Sequence, residues 1–389
     1  MGDHRRKGLG PVAAVVLVIA AGGCTSAVSP EKPSPAVEEP VQPPGKPFGM
    51  VLDRAVSLVA GTGKADSTGD GGPALEASLE LPGSLTFDTR GNLYIAERLR
   101  IRKVAPDGTI TTFAGDGSNT EFSEGEPSGP PGDGGPAIHA QMEIPEDLAF
   151  APDGSLYFVE PLAGRIRRVA SDGTIDTVVG NGRVTCGISP SSHQGKDPES
   201  ISVCSLRGLT FLANGDLVFA DGQRLWRLHG DRIYLFAGNG RVVLDPSRAG
   251  DGGPATKAGL TAIADLAADR NGSIYIAEDL DGRVRKVSPR GRISTFIEDL
   301  GGASDLLFDD SGHLFVASSA GGLIRVARDG SATPLLPGFL DSVASRDRLA
   351  SLLFGPPGSD LAMDKRGSLY VSMNIEGFQN VLRIRGPWG

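Results

Sequence analysis

The sequence predicts an all-β fold, a six-bladed β-propeller of four-stranded antiparallel blades, and three observations carry that prediction. The stretch Pro82 to Gly117 reads as four short strands and recurs in five further copies, Pro145 to Gly182, Arg207 to Gly240, Ile263 to Leu300, Ala303 to Leu340 and Gly358 to the end. The last copy stops after its third strand, Val381 to Arg385, while an unmatched strand, Ala55 to Ala60, precedes the first. The chain holds 55 Gly and only 6% aromatic residues, a composition of tight turns and short strands.

Within the first copy the strands are Leu85 to Phe87, Leu93 to Ala96, Arg100 to Val104 and Thr109 to Ala114. Each is rich in Ile, Val, Tyr, Phe and Thr and is bounded by Gly, Asn, Asp or Pro turn formers, which is the signature of an antiparallel meander. The second strand marks every copy, reading LYIAE, LYFVE, LVFAD, IYIAE, LFVAS and LYVSM in order. An open four-stranded sheet exposes two apolar faces, so the copies must stack in a ring or a solenoid. Ala55 to Ala60 with Gly61-Thr62-Gly63 matches the fourth strand of the first copy, so it is expected to complete the last blade and close the ring.

These residues resemble the NHL-repeat family of propellers, whose repeat runs through a proline, a short apolar strand, a Gly-Asn-Leu-Tyr-Ile-Ala-Asp strand, Arg-Ile-Arg-Lys-Val and an Asp-Gly turn. The resemblance covers about residues 54 to 389. It implies the fold directly. For function it implies a binding scaffold or sensor and, in related propellers, a lyase or hydrolase.

Residues 1–23 read as a bacterial lipoprotein signal: His4-Arg5-Arg6-Lys7 are basic, Leu9 to Ala21 is apolar and short, and Ala21-Gly22-Gly23-Cys24 resembles a lipobox. Cys24 is therefore the expected lipid attachment. Residues 24–48, rich in Pro, Glu, Ser and Ala, read as a disordered tether, and 49–389 as the propeller. This arrangement places the domain at the cell envelope, held to the membrane on its extracytoplasmic side. The formal charge is −9, and about −11 once the signal is removed, which disfavours nucleic acid. Cys186 and Cys204 lie in one insertion before the third blade and, in an oxidising compartment, are expected to pair.

In a propeller the innermost strand begins, and the second strand ends, on one face. The innermost strands begin at Ser84, Asp147, Gly208, Asp265, Asp305 and Asp360, so four aspartates should surround the channel mouth. They could cap backbone amides. They could also hold Ca²⁺ or a cationic ligand group, because four carboxylates around one axis ionise together only with a counter-charge. The second strands end at Glu97, Glu160, Asp221, Glu278, Ser318 and Met373, an outer acidic set further out on the same face. A basic third strand follows each, so Glu97 with Arg102, Glu160 with Arg167 and Glu278 with Arg285 are expected structural pairs.

Gly-Asp-Gly-Gly-Pro-Ala occurs at Gly69 to Ala74, Gly132 to Ala137 and Gly250 to Ala255, before the first, second and fourth blades. No Gly-Lys-Ser/Thr follows, so phosphate binding is not indicated, and a structural turn packed over a blade junction on the acidic face is expected. Similar inserts occur in bacterial NHL proteins and in the propellers of large adhesion proteins. His139, His193, His229 and His313 are scattered, and no Gly-x-Ser-x-Gly elbow is present. Propeller lyases that use channel histidines are thus disfavoured, whereas a calcium-dependent lactonase in the gluconolactonase manner remains an alternative. The expectation is a monomeric module binding an envelope protein, peptide or glycan, with an extracytoplasmic sensor subunit as a third reading.

Overall fold

The computed structural model describes residues 56–118, 132–186, 193–243, 245, 249–318, 322–335, 360–375 and 378–386. These fall within the unit Gly45–Gly389. The signal, Cys24 and the tether lie outside the described residues, as does Ala55.

Each repeat forms one four-stranded antiparallel sheet. Blade 1 comprises β2 (Leu85–Phe87), β3 (Leu93–Ala96), β4 (Ile101–Val104) and β5 (Ile110–Ala114); blade 2, β6 (Glu146–Phe150), β7 (Leu156–Glu160), β8 (Arg165–Val169) and β9 (Ile175–Val179). Blade 3 comprises β10 (Leu206–Phe211), β11 (Leu217–Asp221), β12 (Arg224–His229) and β13 (Arg232–Ala237). Blade 4 follows with β14 (Ile263–Ala268), β15 (Ile274–Glu278), β16 (Arg283–Val287) and β17 (Ile293–Ile297). Blade 5 has β18 (Asp305–Phe308), β19 (Leu314–Ser318), β20 (Gly322–Val326) and β21 (Ala332–Pro334). Its outer strand is shorter than the repeat suggested. Blade 6 joins β22 (Leu361–Met363), β23 (Leu369–Ile375) and β24 (Phe378–Ile384) to β1 (Val56–Ala60).

Ring closure takes the predicted form. β1 pairs antiparallel with β24, Val56 opposite Ile384 and Ser57 opposite Arg383, so the two ends of the chain share one sheet. The buried apolar side chains form clusters that lie between neighbouring blades, as when Tyr94, Ala96 and Ile101 of blade 1 pack on Leu148, Leu156 and Phe158 of blade 2. Full burial of such side chains is worth about 1.5–3 kcal/mol each. Aromatic contacts repeat this stacking: the second-strand tyrosines Tyr94, Tyr157 and Tyr275 each meet edge-on a phenylalanine of the next blade, Phe150, Phe211 and Phe308, with ring centroids 4.9–5.0 Å apart.

In blades 1 to 4 the pairing of third and fourth strands slips by one residue at the same place, at Ile101/Arg102, Ile166/Arg167, Leu225/Trp226 and Val284/Arg285. A bulge bends its strand and re-aims a side chain. Here the residue beside it is the arginine, or in blade 3 the tryptophan, that enters the blade interior.

Candidate functional site: the acidic mouth of the channel

The inner aspartates do converge, and a chain of inter-blade hydrogen bonds explains how. The Leu306 amide donates to Asp265 Oδ2 (2.8 Å), that of Leu361 to Asp305 Oδ2 (2.5 Å) and that of Leu85 to Asp360 Oδ2 (3.0 Å). The Leu209 amide donates to Asp147, and the Leu148 amide to Ser84 Oγ at 2.8 Å. Each inner strand thus reaches from its first side chain to the backbone of the next blade. Gly208 alone offers no side chain. It sits at φ +50°, and a Cβ there would lie 3.0 Å from Leu266 Cγ and 3.1 Å from Leu266 N.

The capping geometry is therefore present, and it does not remove the electrostatic problem. Burial first, and then the negative charge of one another and of Glu146, hold the carboxyls of Asp147, Asp265, Asp305 and Asp360 well above the ordinary aspartate range. The charge of Asp305 bears on Asp360, that of Asp265 on Asp305 and that of Asp147 on Asp265, so the four carboxyls titrate as a coupled set. Among the described residues no basic side chain pairs with any of the four. Arg207, at the lip, is turned to Glu146 at 3.4 Å.

Above the ring opens a cavity of about 400 Å³, lined by all four aspartates, Ser84, Gly208, Glu97 and Asp279. Leu81, on its lip, is exposed. Among the described residues no group of three or more His, Cys, Asp or Glu side chains is arranged to hold a metal ion. Asp305 and Asp360 each already accept amides on both oxygens, which takes up lone pairs that a hard cation needs.

Glu97, Glu160 and Glu278 are buried inside their blades, at most 2% exposed, and of the outer set only Glu97 lines the cavity. Each meets its third-strand arginine: Glu97 and Arg102 at 3.3 Å, Glu160 and Arg167 at 3.4 Å, Glu278 and Arg285 at 3.7 Å. Glu160 and Glu278 also accept the Glu143 and Thr261 amides, both at 2.8 Å. Glu97 takes the Ser67 hydroxyl instead. Burial prevails over the nearby arginines and pushes the Glu97 carboxyl up to about 7, and burial raises the Glu160 carboxyl too despite its backbone donor. Asp221 accepts the Cys204 and Ser205 amides at 2.7 and 2.9 Å.

The Gly-Asp-Gly-Gly-Pro-Ala segments supply what the sequence did not reveal. None of them lines the mouth. Each runs along the outermost strand of the blade it precedes, through Gly71 N to Ile110 O (2.8 Å), Gly134 N to Ile175 O (2.9 Å) and Gly252 N to Ile293 O (2.8 Å). Its aspartate enters the blade as a second carboxylate on the same arginine: Asp70 on Arg102 (2.6 Å), Asp133 on Arg167 (2.5 Å) and Asp251 on Arg285. The other oxygen takes Thr112 Oγ1 (2.6 Å), the Thr177 amide (2.8 Å) or the Thr295 amide (2.7 Å). The motif is thus a strand-edge cover pinned by a Glu–Arg–Asp triad. Pairing within each triad satisfies charges whose isolated burial would cost several kcal/mol.

The histidines are apart from the mouth. His229 accompanies Asp216 (2.9 Å) and His313 accompanies Asp309 (2.8 Å), while His193 packs on Trp226 with ring centroids 5.2 Å apart. Cys186 and Cys204 form a disulfide.

Comparison with known proteins agrees with the repeat. The family described as the teneurin NHL domain matches residues 51–129. Human teneurin-1 is 29% identical over 263 residues, 61% of this chain, and teneurin-m of Drosophila melanogaster is 30% identical over 173 residues, 42% of this chain. The chain spans about 9% of the length of teneurin-1. Among solved structures, a streptogramin B lyase matches 85% of this chain and 97% of its own at TM-score 0.51 and 12% identity. A Bacteroides thetaiotaomicron protein of unknown function matches 85% of this chain and 75% of its own at TM-score 0.54, also at 12% identity. At such identity these two speak for the fold alone. Taken with the repeat and the ring closure, the likenesses identify the described residues as an NHL-repeat six-bladed β-propeller with a stretch similar to the NHL domain of the teneurins.

Proposed function

We propose that this propeller is a ligand-binding or protein-interaction module, displayed at the cell envelope on a lipid-anchored tether through Cys24, and that the acidic mouth receives a positively charged group of its ligand. One observation carries the reading: four carboxyls share a cavity of about 400 Å³ whose basic lining residue, Arg207, is paired with Glu146 and not with them. A cation entering from the open face relieves their mutual repulsion and displaces the protons they hold. Because backbone amides occupy much of the carboxylate coordination, a basic peptide side chain or an organic amine fits this mouth better than a compact metal cage. The likeness to the teneurin NHL domain favours a scaffold over a catalyst. Calcium-assisted hydrolysis of a lactone is the competing reading, and the experiment separates the two.

Calorimetric titration of the folded protein with a lysine- and arginine-rich peptide, with spermidine and with Ca²⁺ is the test, alongside the Asp265→Asn/Asp305→Asn double variant. Binding of the peptide or the amine, lost in the variant, supports the proposal. Binding of Ca²⁺ alone, followed by turnover of lactones, supports the hydrolase. Titrations flat with all three probes refute the mouth as a cation site. Metabolic labelling with radioactive palmitate, with Cys24→Ser as the control, tests the anchor separately.

A further inference from the structure

Blade 3 carries a disguised copy of the edge cover. Gly195 donates to Ile233 O (2.7 Å) and Ile233 N donates to Lys196 O (3.1 Å), as Gly134 does to Ile175 and Ile175 to Gly135 in blade 2 (2.9 and 3.0 Å). The Leu235 amide donates to Gln194 Oε1 at 2.9 Å, where Thr177 and Thr295 donate to Asp133 and Asp251. Gln194 therefore stands where the other covers have aspartate. The facing arginine has changed with it: Trp226 pairs with Phe219 across β11 and β12, just as Arg167 pairs with Phe158 and Arg285 with Ile276. Both charges of the pin are gone in blade 3, and Cys186–Cys204, joining residues 18 apart, ties down this one cover.

We propose that this disulfide is a redox-sensitive latch that replaces the arginine–aspartate pin of blades 1, 2 and 4. A dithiol reductant attacks one sulfur, forms a mixed disulfide, and is itself closed to a disulfide by its second thiol, leaving Cys186 and Cys204 as two thiols. Cys186 is exposed and Cys204 partly so, which admits such a reductant. Loss of the link frees the cover to leave β13, baring the amides of Ile233 and Leu235 and the carbonyl of Ile233. Bared edge groups of this kind are where another strand can pair. The other covers hold, because their pins are ionic, each on a buried arginine, and contain no bond that a thiol can reduce. The latch is independent of what the channel mouth binds.

Hydrogen exchange of the full chain, with and without a dithiol, reads the latch directly. The cross-link constrains the open state by roughly a hundredfold on the chain-entropy account. Reduction should lower protection of the Ile233 and Leu235 amides by about that factor while leaving the equivalent Ile110, Ile175 and Ile293 amides unchanged. Cys186→Ser should give the same pattern without reductant. Trp226, buried beneath His193, should report the opening as a fluorescence shift. Gln194→Asp combined with Trp226→Arg restores the ionic pin and should make blade 3 indifferent to reduction. Unchanged protection at Ile233 and Leu235, or an equal fall at all four blades, overturns the proposal.

Discussion

Glu97→Gln offers a sharp test of the electrostatic account, because burial carries the Glu97 carboxyl upward against the pull of its arginine neighbours. Glu97 is 2% exposed and receives Arg102 at 3.3 Å, but Arg102 is drawn more closely to Asp70, at 2.6 Å. Its carboxyl rises from the ordinary value of 4.5 to about 7. A folded value above the unfolded one means that the contribution is fully present below pH 4.5 and is lost as the pH rises through 7. At 1.36 kcal/mol per tenfold change in proton affinity, the loss on ionisation is about 3 kcal/mol. Glutamine keeps the acceptor for the Ser67 hydroxyl and does not ionise. Urea denaturation at pH 4.5 and pH 8.5 should therefore show wild type losing about 3 kcal/mol more than the variant across that interval. Parallel profiles would mean that Arg102 keeps Glu97 ionised throughout, and the argument from burial would fall.

The inner ring should show the same sign: since Asp147, Asp265, Asp305 and Asp360 are all raised, stability falls as the pH climbs through their folded values. Asp265→Asn/Asp305→Asn should flatten that alkaline decline in thermal melts, and a steeper decline in the variant would contradict it. Deleting Val56–Ala60 removes the strand that pairs with β24, so the truncated chain should lose its cooperative melt, followed by circular dichroism. A truncated form melting like the intact one would refute closure through β1.

The parts of this architecture that repeat locally were legible in the sequence. Second strands such as LYIAE and LYFVE announce themselves by composition and by the turns around them, and the unmatched Ala55 to Ala60 pointed to the closing pair. The inner aspartates could be placed at the mouth because a meander fixes which end of each strand shares a face. Burial of Glu97, Glu160 and Glu278 was not legible, since it depends on an aspartate delivered from the preceding connection across the blade edge. The cover on blade 3 was hidden for a related reason. Its motif letters are lost, and the compensating change, arginine to Trp226, sits on a strand remote in sequence. Pairwise exchange of that kind is visible only when the two sites are seen in contact.

The inter-blade belt also bears on how the chain comes to be folded. Its links run in one direction, each blade but the third holding the next, and the last one ties Asp360 to Leu85 across 275 residues of chain. The strand pairing of β1 with β24 is equally remote. Two closures, one on the axis and one on the rim, thus wait for the same late segment. Chains dominated by such distant contacts order slowly, because loop entropy is spent before any contact repays it. Until residues near 360–384 arrive, five blades have no way to complete a circle, and blade 1 presents an uncovered inner strand. The carboxyl-terminal blade is in that sense the keystone: the molecule's geometry is written blade by blade, and its cooperativity is withheld until the end.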